Sequence, residues 1–297
     1  MNLNIPSPIT KINNNFLDKK GVKLFIKRDD LIHDVVSGNK WRKLKYNLQD
    51  AQSNGYDTIL SFGGVYSNHL YSLGYATNNL GFKSIGVIRG VQKTTLSSTL
   101  RFCKDQNMQF HYLDHQQYRY QKYSKKNLTL FREKFGDFYL LPEGGCNSLG
   151  VKGCEEILSE IDDHFDYVCC AVGTGCTASG IIRSLNKNQR FIGFCPFTKF
   201  EEQNNMILEY CSPLVYNNWQ LIADNHFGGF GKINSNLIKF VRQFYDDFNI
   251  KLDLVYMGKL FYSLFDLIKK DFFVKNTTII IMHSGGLQGV DGFNFKY

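Results

Sequence analysis

Ser37-Gly38-Asn39-Lys40-Trp41-Arg42-Lys43-Leu44 is the stretch from which the rest of the chain can be read. It follows an apolar-rich run, Val22-Lys23-Leu24-Phe25-Ile26, and a polar turn, Lys27-Arg28-Asp29-Asp30. Trp41, Leu44 and Leu48 then recur at helical spacing, so the octapeptide opens an amphipathic helix at a Ser-Gly-Asn turn that runs to about Gly55. A lysine at a helix entrance behind a glycine turn can be aimed into a cleft. Burial would lower its pKa and free the amine for attack on a carbonyl group. Read alone, the same residues are more commonly a solvated basic first turn. The remaining motifs decide between the two.

From residue 22 onward, apolar runs alternate with amphipathic ones. Strands are expected near 22–26, 58–62, 84–88, 109–113, 138–141, 167–172, 191–195, 252–255 and 278–282. Helices are expected near 41–54, 67–80, 94–106, 149–162, 177–187, 232–247 and 259–270. That alternation predicts an α/β fold with parallel sheets covered by helices on both faces. The sharpest break is Pro142-Glu143-Gly144-Gly145-Cys146-Asn147, where a smaller unit can end. No internal repeat or low-complexity linker interrupts the pattern.

The 297 residues suffice for one large or two ordinary domains, and 43% hydrophobic with 21% charged residues is a globular composition. No apolar run is long enough to span a bilayer, and Met1 to Thr10 lacks the pattern of a signal peptide, so a cytoplasmic location is expected. The formal charge of +8 is spread among interleaved acids without a basic arm. It therefore speaks against nucleic acid and for an electropositive cleft at most. The eight cysteines form no Cys-x-x-Cys pair, which excludes a standard zinc site and favours reduced, buried thiols.

Several further turns carry possible chemistry. Ser61-Phe62-Gly63-Gly64-Val65-Tyr66-Ser67-Asn68-His69 leads a strand through a glycine turn into a helix. Ser67 and Asn68 there either favour an anion or simply cap the helix. His69 is a proton carrier or a packed polar residue. In Cys169-Cys170-Ala171-Val172-Gly173-Thr174-Gly175-Cys176-Thr177, a buried strand feeds a glycine-rich turn. Its N–H groups, with the Thr174 and Thr177 hydroxyls, suit a phosphate. No Gly-Lys-Ser/Thr follows, so it is not a Walker loop. The next strand runs into Pro196 instead of an acid that would hold a ribose, so a monophosphate suits the turn better than a dinucleotide. The stretch from Asn225 to Lys232 is a glycine-rich turn that contains Phe230, Tyr256 is either a ring-stacking or a structural aromatic, and Ser284 opens a final Gly-Gly turn after a buried strand.

In order, Gly-Asn-Lys, Ser-Asn-His, Pro-Glu-Gly-Gly, Gly-Thr-Gly-Cys-Thr, Tyr-x-Gly-Lys and His-Ser-Gly-Gly resemble the pyridoxal-phosphate enzymes of the 1-aminocyclopropane-1-carboxylate deaminase / D-cysteine desulfhydrase family. The resemblance implies the tryptophan-synthase β-like fold, fold type II, with pyridoxal 5′-phosphate between two α/β domains. The large domain is expected over 1–42 and 149–297 and the small one over 43–148, in a homodimer. By the same resemblance, Lys40 is the Schiff-base lysine and Lys43 lies near the cofactor phosphate. Ser67 is the active-site serine that works on substrate, and Asn68 bonds the cofactor's 3′-oxygen. Gly173, Thr174, Gly175, Cys176 and Thr177 form the phosphate cradle, and Tyr256 packs on the pyridine ring. Ser67, Asn68, His69 and Phe230 are expected to face a small amino-acid substrate.

Three departures from the family pattern bear on that substrate. Met257 follows the stacking tyrosine where the aminocyclopropane deaminases carry glutamate. Ser284 stands where they carry leucine and the desulfhydrases threonine. Phe230 replaces a second tyrosine and has no proton to exchange. The expectation is α,β-elimination from D-cysteine, with Lys40 or Ser67 moving the α-proton. Deamination of 1-aminocyclopropane-1-carboxylate, or cofactor binding without turnover, are the alternatives.

Overall fold

The computed structural model describes residues 1–213, 216–293 and 295–297. The chain runs β1 (Ile9–Ile12), α1 (Asn15–Lys20), β2 (Lys23–Lys27), α2 (Asn39–Ser53), β3 (Thr58–Gly63), α3 (Asn68–Leu80), β4 (Lys83–Arg89), α4 (Ser98–Asp105) and β5 (Gln109–Leu113). It continues through α5 (His115–Gln121), α6 (Lys125–Phe135), β6 (Tyr139–Leu140), α7 (Ser148–Ser159), β7 (Tyr167–Ala171), α8 (Cys176–Arg183) and β8 (Arg190–Phe194). The last elements are α9 (Glu201–Cys211), β9 (Trp219–Ile222), α10 (Ser235–Phe248), α11 (Met257–Lys269), β10 (Thr278–Met282) and a 3-10 segment over Leu287–Phe293.

Two sheets result. One has six strands in the order β1-β2-β10-β7-β8-β9, parallel except where β1 meets β2. The other has four parallel strands, β5-β4-β3-β6. Both are buried on both faces, because successive strand residues point to opposite sides. In the larger sheet, Cys169, Ile279 and Ile281 pack with Leu260, Phe261 and Leu264 of α11. Their neighbours Val168, Cys170 and Ile280 pack with Ile157 of α7 and Ile181 of α8. In the smaller sheet, Ile59 and Ile88 face Leu44 of α2 and Leu73 of α3, while Leu60, Phe62 and Val87 face Tyr118 and Phe131 of α5 and α6. Among the described residues, no helix is long and apolar enough to cross a membrane. All eight cysteines are free and buried.

One expected strand is absent. Residues 252–255 are apolar enough to read as a strand, but the chain turns there into α11. The buried Asp253 carboxylate accepts the N–H groups of Val255 and Tyr256 at 2.8 Å and of Met257 at 3.0 Å. Those three donors are the ones a helix start leaves open, so the acid ends the extended run. The elements not expected are β1, β9, α1, α5, α6 and α9. Helix α5 buries only Tyr118 and α9 only Ile207 and Cys211, too few to print a period on the sequence.

Candidate active site

The carboxyl ends of β3, β7 and β10 converge with the start of α2. Gly38 makes this possible. Its φ of 64° suits glycine, and a Cβ there would lie 1.9 Å from the Ser284 carbonyl oxygen. The turn after β10 therefore presses directly on the residue pair that launches Lys40. Gly286 of the same turn lies against Asn68: a Cβ there would be 2.3 Å from Asn68 Nδ2. Gln288 donates from its amide to Asn68 Oδ1, a partner the sequence did not reveal.

Lys40 lies in the first turn of α2. Its Nζ donates to Asn39 Oδ1, and Asn39 Nδ2 donates to Thr177 Oγ1 at 2.9 Å. The lysine is thus tethered through one side chain to the first turn of α8. Burial lowers its pKa to about 7, and the charge of Lys43 pushes in the same direction. Near neutral pH, much of the population carries a free amine.

Lys43, one turn further along α2, is buried and makes no ion pair or hydrogen bond through Nζ among the described residues. Beside Gly144, the point where a Cβ would sit lies 3.9 Å from Lys43 Nζ and 3.6 Å from Thr174 Oγ1. That hydroxyl is itself buried without a partner. Gly175, φ 91°, immediately precedes α8, and no side chain caps the helix N-terminus. An unpaired ammonium, an orphaned hydroxyl and an uncapped helix start are three donors without an acceptor. Together they suit a bound anion such as a phosphate. Cys176 contributes backbone here, since its buried thiol is turned to the Gly145 carbonyl at 3.7 Å.

Tyr256 borders the same turn. A Cβ on Gly173 would lie 3.3 Å from the Tyr256 hydroxyl and 3.5 Å from its ring. Burial raises the Tyr256 pKa, so the phenol stays protonated. Phe230 is exposed and meets Tyr256 edge-on, with centroids 5.8 Å apart. Ser284 Oγ donates to Met257 Sδ at 3.4 Å. The other predicted residues are placed as follows. Ser67 caps α3 by accepting from Leu70 N at 3.2 Å, and it remains half-buried. His69 is buried with Nε2 2.8 Å from Ser61 Oγ and Nδ1 unpartnered. Burial, with the charges of Lys43 and Lys40, lowers its pKa to about 3, so it is neutral. Among the described residues, no cluster of histidine, cysteine and acid side chains could hold a metal ion.

The residues gathered here can bind an anion, present a neutral amine and close an aromatic wall. A family described as pyridoxal-phosphate dependent enzyme matches residues 2–201. A protein of Pyrococcus horikoshii, provisionally named a 1-aminocyclopropane-1-carboxylate deaminase, is 32% identical over 298 residues, covering 93% of this chain and 88% of its own. A mitochondrial protein of Arabidopsis thaliana, named a bifunctional D-cysteine desulfhydrase/1-aminocyclopropane-1-carboxylate deaminase, is 28% identical over 96% of this chain and 77% of its own. A crystal structure described as an ACC deaminase homologue superposes with a TM-score of 0.86 at 29% identity, covering 99% of this chain and 93% of that one.

Proposed function

Since this chain belongs to the pyridoxal-phosphate dependent enzymes, we propose that it eliminates the β-substituent of a small amino acid, D-cysteine first, giving pyruvate, ammonia and hydrogen sulfide with uptake of one water. The site fits the family's cofactor, pyridoxal 5′-phosphate. Lys43, Thr174, Thr177 and the N–H groups at the start of α8 would hold its phosphate. Lys40 would hold its carbonyl carbon, Asn68 its ring oxygen and Tyr256 its ring face. When bound, the cofactor supplies a conjugated ring that spreads the electron pair left on Cα when the α-proton is lost.

The chain's own side chains divide the remaining work. Lys40, with much of its population neutral near pH 7, takes the α-proton, or Ser67 does. Asn39 orients the amine. Phe230 and Tyr256 would line the side-chain end of the substrate, where the thiolate departs.

The observation that carries this reading is the pairing of Ser284 with Met257. The position after the stacking tyrosine carries a thioether instead of the carboxylate of the deaminase pattern. The nearby Asp253 carboxylate is committed to three N–H groups. A ring nitrogen facing Ser284 would meet a hydroxyl and no charge, so the ring is a modest electron sink. That suffices to expel a thiolate and is less suited to opening a carbon ring. The decisive experiment supplies D-cysteine to the cofactor-loaded protein and assays sulfide and pyruvate. The second reading, deamination of 1-aminocyclopropane-1-carboxylate, is favoured by the names of the relatives. It would replace the first if that substrate gave 2-oxobutyrate and ammonia while D-cysteine gave no sulfide.

Two predictions follow from the anion cradle and the amine. Lys43→Ala removes an ammonium with no other partner among the described residues, so cofactor affinity should fall by about ten- to a hundred-fold, corresponding to about 1.5–3 kcal/mol for a charge-assisted hydrogen bond. Absorbance titration of the cofactor-free protein measures it, and an unchanged dissociation constant would remove Lys43 from the cradle. In the same protein, the rate of cofactor capture should rise about tenfold per pH unit below pH 7 and level off above it, because only the neutral Lys40 amine attacks. A flat rate between about pH 5.5 and 8.5 would contradict the lowered pKa.

A further inference from the structure

Phe230 stacks on Phe197 with centroids 5.4 Å apart and planes 12° from parallel, and it meets Tyr256 edge-on. These three rings form a continuous wall beside the Gly173 turn. The segment carrying Phe230 has little reason of its own to hold that shape. Phe227, Gly228, Gly229 and Gly231 all have positive φ, and glycines reach many other conformations at little cost. Its internal bonds are short-range, from Gly229 N to the His226 carbonyl and from Lys232 N to the Gly229 carbonyl, both 3.1 Å.

The anchor comes from α11. Lys259 Nζ donates to the His226 and Gly229 carbonyls, each at 2.8 Å, from a side chain only 3% exposed. Lys259 lies one helical turn after Tyr256, so a single helix start sets both the tyrosine and the loop that brings Phe230 to it. Burying an ammonium against carbonyls alone is costly: burial lowers the Lys259 pKa to about 8, with the Asp253 charge opposing. A lysine that only filled space could be replaced by methionine without that cost. What the charge provides is two strong bonds to a loop otherwise held by the Phe227 ring on Tyr262 and the Phe230 ring on Phe197.

We propose that Lys259 is a positioning residue for substrate selection, clamping the 225–231 loop so that Phe230 closes an apolar wall that favours a thiol over a hydroxyl on the substrate's β-carbon. The selectivity part rests on the elimination reaction proposed above, while the clamp itself does not. Lys259→Met keeps the volume and removes the donors. Lys259→Gln keeps two donors on a shorter arm.

Two measurements test the proposal. In cofactor-free protein, chymotryptic cleavage after Phe227 and Phe230, identified by fragment mass, should accelerate about tenfold or more in Lys259→Met and less in Lys259→Gln. In loaded protein, the ratio of kcat/KM for D-cysteine over D-serine should fall about tenfold, mainly through KM. On a Phe230→Ala background, Lys259→Met should change that ratio by less than about twofold, because both act through one ring. Unchanged cleavage, or effects of Lys259 and Phe230 that add in full, would overturn the clamp. So would aggregation of both variants, which would make Lys259 a core strut. Should the wild-type protein turn over neither amino acid, the elimination reading fails. Faster cleavage, with a raised ratio of the D-cysteine to the D-serine dissociation constant, would still uphold the clamp.

Discussion

Lys40→Ala is expected to lose the visible absorbance of the loaded protein, to take up no mass at the Lys40 peptide after borohydride reduction, and to lose turnover by a factor on the order of 10²–10⁴ or more. Three buried or half-buried lysines lie near the cleft, and their surroundings divide their roles. Lys259 directs two of its three donors to loop carbonyls. Lys43 has no partner among the described residues and stands with Thr174 beside Gly144, where a positive charge serves an anion. Lys40 alone combines an amine near neutrality with a single tether, Asn39, that aims it. Lys43→Ala should therefore keep the covalent band at saturating cofactor, whereas Lys40→Ala should not regain it at any concentration. A band retained in Lys40→Ala and lost in Lys43→Ala would exchange the two assignments.

How much of this could be read from the sequence differs by residue. The glycine-bounded turns announce themselves locally, which is why Lys40, Thr174, Thr177, Asn68 and Ser284 could be picked out; Asn39, beside Lys40, bonds Thr177, and the Ser284–Gly286 turn presses on Gly38 and Asn68. Each follows a buried strand or opens a helix, and such transitions leave a signature in a short window. The tether from Lys40 through Asn39 to Thr177 joins residues 138 positions apart, and Lys259 reaches a loop some 30 positions away. Neither contact has a local signature. The 252–255 turn was illegible for a different reason. One aspartate in an apolar run looks like a flaw in a strand until its carboxylate is seen taking three amide protons. Ser67 satisfies the capping reading, and its part in chemistry rests on the proposal above.

The largest feature the sequence concealed is the charged cluster beneath the start of α2, and it carries the second large prediction. Arg42 is 1% exposed. Its Nε and Nη2 each lie 3.1 Å from an oxygen of Asp29, and Nη2 is 2.8 Å from Glu160 Oε2, with Nη1 on the other Glu160 oxygen. Lys27 Nζ completes the cluster at 2.6 Å from Glu160 and from the Ser7 hydroxyl. The Asp29 carbonyl also accepts the Gly38 amide at 2.7 Å, so the cluster fixes the turn that delivers Lys40. Arg42→Met would leave two acids sharing one lysine in a buried site. Removing one partner of such a pair costs about 3–5 kcal/mol, far more than breaking a surface ion pair.

The pH dependence identifies the cause. Burial opposes ionisation of Glu160, but Arg42 and Lys27 outweigh it and lower its pKa to about 2, below the ordinary value of an unfolded glutamate. A carboxyl with a depressed folded pKa stabilises fully above its unfolded pKa and loses that contribution as pH falls toward the folded one. The gap between wild type and Arg42→Met should therefore be full at about pH 7 and shrink between about pH 4.5 and 2 as Glu160 takes a proton in both proteins. Chemical denaturation at several pH values measures it. A gap below about 1 kcal/mol at neutral pH would put the cluster in the class of exposed ion pairs and leave the aim of Lys40 to Gly38 and Asn39 alone.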